Sequence, residues 1–175
     1  MFIVGENLIS LVKKHHIIDD IRDVSETCIE LKLNHIIKRM RRTNDCDTLN
    51  YGERIPAKYI MEESILDEGL ILKPQKAVLA CSSKSVHIPC GYMGMIQTKG
   101  SLARLFVFVH CSDSQVDSGF KGCITFELYN ASEFNVRIQA GQKVANLYIL
   151  PVSDKNVKAY EGKYKDADKP TIQLP

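Results

Sequence analysis

Residues 116–130 read Val116-Asp-Ser-Gly-Phe-Lys-Gly-Cys-Ile-Thr-Phe-Glu-Leu-Tyr-Asn130, a turn that feeds directly into an alternating segment. Asp117-Ser118-Gly119 is turn chemistry, with Asp117 as a turn cap in its plainest reading. From Ile124 onward apolar and polar residues alternate with the period of a half-buried strand. Phe126 and Leu128 then share one face, and Thr125, Glu127 and Tyr129 the other. Glu127 either faces solvent or lines a pocket. In a pocket, loss of water would raise its pKa toward values that suit general acid–base chemistry.

The same grammar extends in both directions. Leu70–Pro74 and Lys76–Cys81 read as strands about a turn. Val86-His87-Ile88, Met95–Thr98, Val136–Gln139 and Val144–Leu150 continue the series, and Leu105–Val109 is expected to be a buried run. Ala140-Gly141-Gln142 is a turn between two of these strands. Short strands with regular turn signals imply a sandwich or barrel rather than βαβ units. The N-terminal part differs: Leu8, Ile9, Leu11 and Val12 recur at helical spacing, and Lys13, Lys14, His15 and His16 suit the negative end of a helix dipole. A short amphipathic helix is expected over 6–16, a strand over Cys28–Asn34 and a polar loop over 43–53. The polar stretch from Tyr160 to Pro170 is expected to be irregular.

The chain has 175 residues, 45% apolar and 25% charged, enough for one domain with its own core. Its formal net charge of +2 argues against a dedicated nucleic-acid binder. The basic run Lys38, Arg39, Arg41 and Arg42 is expected to be a solvated edge or loop. No signal peptide and no membrane-length apolar stretch is visible, so neither a nucleic-acid nor a membrane partner is expected and the cytoplasm is the expected compartment. The six cysteines are scattered without disulfide or metal spacing and are expected to be reduced thiols.

Two further segments carry chemistry. Lys99-Gly100-Ser101-Leu102-Ala103-Arg104 joins two cations, a glycine and a hydroxyl. It is either a surface turn or a cradle for phosphate oxygens. Tyr160-x-x-Lys163-Tyr164 is a basic, aromatic tail segment able to close over a charged ligand.

Taken in order, these segments resemble the dCTP deaminase family, which is related to the trimeric dUTPases. Cys28-Ile-Glu-Leu-Lys-Leu-Asn34 is similar to the family's S-V-D-L-R-L-G strand, and Lys99–Arg104 to its R-S-S-L-A-R motif. Residues 116–130 are similar to D-x-G-[FW]-x-G-x-I-x-L-E-x-x-N. Ala140-Gly-Gln-Lys-Val144 is similar to P-G-x-x-I, and Tyr160–Tyr164 to Y-x-G-K-Y. The resemblance implies a mainly β, distorted jelly-roll or β-clip barrel of dUTPase type with a short N-terminal helix. It covers 1–175 as one domain, with 155–175 a tail closing on the site. It also implies a homotrimer with active sites shared between subunits, and Mg²⁺ accompanying the nucleotide triphosphate.

By the same resemblance Glu127 is the general acid–base that activates water for attack on C4 of cytosine, with Arg104 supporting its geometry. Lys163 binds phosphate, Asp117 contacts the sugar or positions a water for pyrophosphate release, and Phe120 packs beneath the deoxyribose. Lys99, Gly100, Ser101, Tyr160 and Tyr164 complete the expected substrate-binding set. Zinc is not expected: the zinc deaminases need H-x-E and P-C-x-x-C, whereas Pro89-Cys90 has no second cysteine and no His-x-Glu occurs. A plain dUTPase is disfavoured because such enzymes lack a glutamate at the Glu127 position, carry D-x-D-Y at Asp117–Phe120, and end in a glycine-rich loop.

Three positions depart from the family pattern. Lys99 replaces an arginine and loses its bidentate geometry, Gly100 replaces a serine, and Ala167 replaces a glutamine. In addition Ser112-Asp113 stands where the family has T-A. The first expectation is a dCTP deaminase that forms dUTP and ammonia. The alternatives are a bifunctional dUMP-forming deaminase or dUTP diphosphatase, with dUTP or dTTP as further candidate nucleotides, and a catalytically inactive nucleotide- or protein-binding relative.

Overall fold

The computed structural model describes residues 1–44 and 48–172. Cys46, within the expected 43–53 loop, and the last three tail residues lie outside the described residues. Helix α1 spans Gly5–His15 and closes on His16, whose left-handed backbone lets its N–H donate to Val12 O. Leu8, Leu11 and Val12 are its buried stripe, as the spacing predicts. The strands follow: β1 (Ile29–Lys32), β2 (Ile36–Met40), β3 (Ile60–Ser64), β4 (Leu70–Leu72), β5 (Ala77–Cys81), β6 (Val86–His87) and β7 (Tyr92–Thr98). A single helical turn, α2 (Gly100–Ala103), precedes β8 (Val107–Phe108), β9 (Gln115–Val116), β10 (Lys121–Gly122), β11 (Thr125–Asn130), β12 (Val136–Ile138) and β13 (Lys143–Pro151).

All pairings are antiparallel. One sheet runs β1-β13-β7-β9 and a second β3-β2-β5-β11-β8, with two-stranded ribbons β10-β6 and β12-β4 beside them. Ile29, Leu31, Ile96, Leu147 and Ile149 from the first sheet meet Ile37, Val78, Ala80, Phe126 and Leu128 from the second in one apolar cluster that also takes in Leu8 of α1. The fold is the mainly β, distorted jelly-roll type with one short N-terminal helix.

Strand β11 shows why the alternation matters. Phe126 and Leu128 are fully buried, whereas Thr125, Glu127 and Tyr129 on the other face are only half-buried. Its pairing with β5 places Glu127 opposite Leu79 and Thr125 opposite Cys81. Asn130 ends the strand inside the core, where its amide donates to Leu72 O and Phe134 O, both at 2.8 Å.

Two sequence readings are corrected. Of the basic run expected as a solvated edge or loop, Arg41 and Arg42 are exposed beyond β2, but Lys38 and Arg39 lie on β2, an inner strand. Lys38 faces Glu62 of β3 directly and Arg39 reaches Glu63 diagonally, with ion pairs of 3.6 and 3.0 Å. Nor is Leu105–Val109 a buried run. Val107 and Val109 are buried, but Leu105, Phe106 and Phe108 are 52%, 64% and 43% exposed. Phe106 has φ +56° as the chain leaves α2, and β8 is a two-residue edge strand that pairs on one side only. The large side chains therefore project outward.

Candidate active site

The outer face of β11 forms the floor of a cavity of about 650 Å³. The loop 109–120, running from β8 past β9, forms one wall and brings His110, Asp113, Gln115, Asp117 and Phe120 to it. Tyr51 and Gly52 reach it from the 48–56 segment. The tail closes the remaining side with Tyr160, Lys163, Tyr164, Thr171 and Ile172.

Glu127 sits on the floor. Its backbone N–H donates to Val109 O at 2.9 Å, and its Oε2 accepts the Cys111 N–H at 3.3 Å. Burial pushes its pKa above the usual glutamate value, and the nearby Asp113 carboxylate adds to the rise, against the opposing Cys111 hydrogen bond. A carboxyl held this way exchanges protons closer to neutrality, as a group that both takes and returns a proton must. Asp117 has two roles: its carbonyl accepts the Phe120 N–H at 3.1 Å to close the turn, and its Oδ1 accepts from Gln115 Nε2 at 2.6 Å. The carboxylate is thereby aimed at the cavity by a neutral donor. His110 Nδ1 is buried there without a hydrogen-bond partner.

The tail is docked rather than loose. Tyr160 N–H donates to Ser118 O at 2.8 Å, Asp166 N–H to Lys121 O at 2.6 Å, and Thr171 N–H to Thr125 Oγ1 at 3.1 Å. The Tyr160 ring lies 5.7 Å from that of Phe120, tilted by 54°, and Lys163 Nζ stands 5.6 Å over the Tyr164 ring. Ala167, where a glutamine was expected, contributes through its backbone: its carbonyl accepts the Cys123 N–H at 2.6 Å.

The cavity therefore brings together Glu127, Asp117, Phe120, Tyr160, Lys163 and Tyr164. Lys99, Gly100, Ser101 and Arg104 are not among its lining residues. Lys99 caps α2, and its ammonium is bound to Glu30, which also holds Lys143. Gly100, Ser101 and Arg104 are exposed on or just after that helical turn. Tyr51, His110 and Gln115 were not expected as lining residues from sequence. They lie in irregular or very short segments with no periodic signal, although a carboxylate at Asp113 was already a visible departure. Among the described residues no group of three or more His, Cys, Asp or Glu side chains is arranged to hold a metal ion, and no helix is long and apolar enough to cross a membrane.

The sequence profile of the dCTP deaminase-like family matches residues 2–151, most of the chain. The chain belongs to that family. It is 28% identical over 148 residues to a dUMP-forming dCTP deaminase of a Sulfurihydrogenibium species, a match that covers 85% of this chain and 80% of the relative. Among solved structures it is similar to the 2′-deoxycytidine 5′-triphosphate deaminase of Agrobacterium tumefaciens, with a TM-score of 0.62 and 16% identity. That similarity covers 85% of this chain but only 47% of the other, so this dCTP deaminase-like chain spans about half the length of that protein. A native EIAV dUTPase is more distant, at a TM-score of 0.45 and 15% identity over 73% of this chain and 98% of that one. The matched profile ends at residue 151, so the tail residues Tyr160, Lys163 and Tyr164 rest on their own motif and on the cavity they line.

Proposed function

We propose that this chain is a bifunctional, dUMP-forming dCTP deaminase. The observation that carries the reading is the division among the three carboxylates that line one cavity: Glu127 is raised in pKa, Asp113 adds to that rise, and Asp117 is held apart from them by Gln115. The 28% identical relative that bears this activity in its name supports it. Deamination to dUTP alone, the first expectation from sequence, would leave Asp117 without a chemical step.

In this reading dCTP enters with Mg²⁺ on its triphosphate. The deoxyribose packs on Phe120 and the base lies over β11. Glu127 takes a proton from water as the oxygen attacks C4, and returns it to the departing amine, so that ammonia leaves and uracil remains. Asp117 orients a second water toward the α-phosphorus, and pyrophosphate departs. Two waters are consumed, and dUMP, ammonia and pyrophosphate are formed. Lys163 offers its cation to the phosphates, and Tyr160 and Tyr164 exclude bulk water.

Arg104, Ser101 and Gly100 enter from a neighbouring subunit of a homotrimer. Their absence from the lining of the chain's own cavity motivates this assignment, as does the exposed apolar surface of Leu105, Phe106 and Phe108 beside them. Lys99 remains with Glu30 and acts on the phosphates only by leaving that pair.

The test is product analysis of purified protein with dCTP and Mg²⁺. Equal yields of dUMP, ammonia and pyrophosphate are expected. Asp117→Asn should accumulate dUTP, and Glu127→Gln should lose dCTP turnover by about 10²–10⁴-fold while still converting supplied dUTP to dUMP. Accumulation of dUTP by the unaltered protein would return the assignment to a simple deaminase. No turnover of either nucleotide would refute both.

A further inference from the structure

At the end of the cavity floor lies a pair of thiols that the proposed chemistry does not use. Cys81 ends β5 directly opposite Thr125 of β11, and Cys123 lies two residues before Thr125. The two side chains thus hold diagonal positions on one face. The register is pinned on either side: Ser82 N–H donates to Ile124 O, and Ile124 N–H to Ser82 Oγ, both at 2.9 Å. Cys81 is fully buried, whereas Cys123 reaches the cavity wall. Each thiol perturbs the titration of the other, Cys81 being raised and Cys123 lowered.

We propose that Cys123 is a modification site for small hydroperoxides admitted by the cavity, with Cys81 as its resolving thiol. The Cys123 thiolate attacks one peroxide oxygen. The O–O bond breaks, the other oxygen leaves and takes up a proton, and Cys123 carries a sulfenic acid. Cys81 then attacks the Cys123 sulfur, the S–O bond breaks, and the hydroxyl departs as water with the Cys81 proton. A disulfide remains. The two sulfurs together lose two electrons and the peroxide gains them.

The surroundings favour this division of roles. The neighbouring Cys81 and then Ser82 pull the Cys123 thiol below the ordinary cysteine range, against burial and the Asp168 carboxylate of the tail. Cys81 is pushed the other way by its bond to Cys123, by burial and by Asp168, and Lys38 of β2 offsets little of it. The thiol drawn down is thus the one that lines the cavity, and the one pushed up is buried beside it. Cys111, exposed beside Glu127, is pushed up by burial of its sulfur and by that carboxylate, which makes it the poorer nucleophile.

The reduced full-length protein should be treated with one equivalent of hydrogen peroxide at pH 7, blocked with alkylating agent and mapped by peptide mass spectrometry. A Cys81–Cys123 cross-link reversed by dithiothreitol is expected, forming about threefold or more ahead of any oxidation at Cys90 or Cys111. Cys81→Ala should stop the cross-link and leave a sulfenic acid at Cys123 that dimedone traps. Oxidation of Cys90 or Cys111 with Cys81 and Cys123 still reduced would overturn the proposal, as would a cross-link to any other cysteine. Mapping of the unaltered chain decides this even if the variant does not fold.

Discussion

Replacing Gly119 by alanine should lift the tail from the cavity. Gly119 has φ +78°, and a methyl group on it would lie 2.5 Å from Ala159 Cβ and 2.6 Å from Ala159 Cα. Carbon atoms in good contact sit about 3.5–4.0 Å apart, so the tail must withdraw by roughly 1 Å. That displacement breaks the Tyr160 N–H bond to Ser118 O and separates the Phe120 and Tyr160 rings. The hydrogen bond contributes about 1 kcal/mol and the ring pair about 0.5–1.5 kcal/mol. Loss of both weakens tail docking by about 2 kcal/mol, roughly thirtyfold. The non-glycine left-handed backbone adds a cost of its own of about 1–2 kcal/mol. Gly141→Ala isolates that cost: Gly141 has φ +81°, yet nothing lies within 4 Å of the added methyl. Hydrogen exchange of the amides of Tyr160, Asp166 and Thr171 should accelerate in Gly119→Ala and not in Gly141→Ala. The KM for dCTP should rise about tenfold or more in the first variant alone. Equal tail protection and equal KM in the two variants would refute the argument that close packing at Gly119 docks the tail.

Two further substitutions test the electrostatics. Asp113→Asn removes the carboxylate that reinforces, after burial, the raised pKa of Glu127; the acidic limb of the kcat–pH profile should move to lower pH, and an unmoved limb would mean that Asp113 does not act on Glu127. Glu30 is held below the usual glutamate range by hydrogen bonds from Lys143 and then Lys99. Its contribution to stability is present above the unfolded value of about 4.3 and is lost as pH falls through the lower folded value. Glu30→Gln should lower Tm at pH 7 and flatten the fall of Tm on the acid side, and an unchanged Tm–pH curve by calorimetry would show that the two lysines gain nothing from this pairing.

Much of the fold was legible because period-2 alternation has a direct physical cause: one face of β11 must reach the core with Phe126 and Leu128, and the other then carries Glu127. Strands β2 and β3 gave no such signal. Their contact faces hold Lys38 and Arg39 against Glu62 and Glu63, so pairing is reinforced by charge and the apolar pattern is absent. Leu105–Val109 misled for the opposite reason: its residues are apolar, yet a two-residue edge strand reached through the left-handed Phe106 buries only Val107 and Val109. In the site, Asp117, Phe120 and Glu127 share one continuous segment and their convergence follows from a single turn and strand. Tyr51 and His110 reach the cavity through loop geometry and Gln115 from the two-residue β9, none of which local sequence encodes. Asp113 was noticed, but its effect on Glu127 needed the distance between two chain segments.

The separation of Arg104 from Glu127 leads to the most decisive experiment on assembly. If a site needs both residues from one chain, two inactive variants remain inactive however they are combined. If each site takes Glu127 from one subunit and Arg104 from its neighbour, Arg104→Ala and Glu127→Gln fail for different reasons and can compensate. Unfolding and refolding an equal mixture should then yield trimers with random membership. About one half of the sites carry an intact Glu127, about one half of those face an intact Arg104, and recovered activity should approach about one quarter of that of the unaltered protein. Each variant refolded alone stays near zero. Recovery of that size requires the exposed edge at Phe106 and Phe108 to be buried between subunits, because only then does Arg104, a few residues upstream, arrive at another chain's cavity. A monomer in sedimentation, or no recovery from a mixture shown by mass spectrometry to contain mixed oligomers, would break the link between this edge and the site and leave Arg104 as a surface residue.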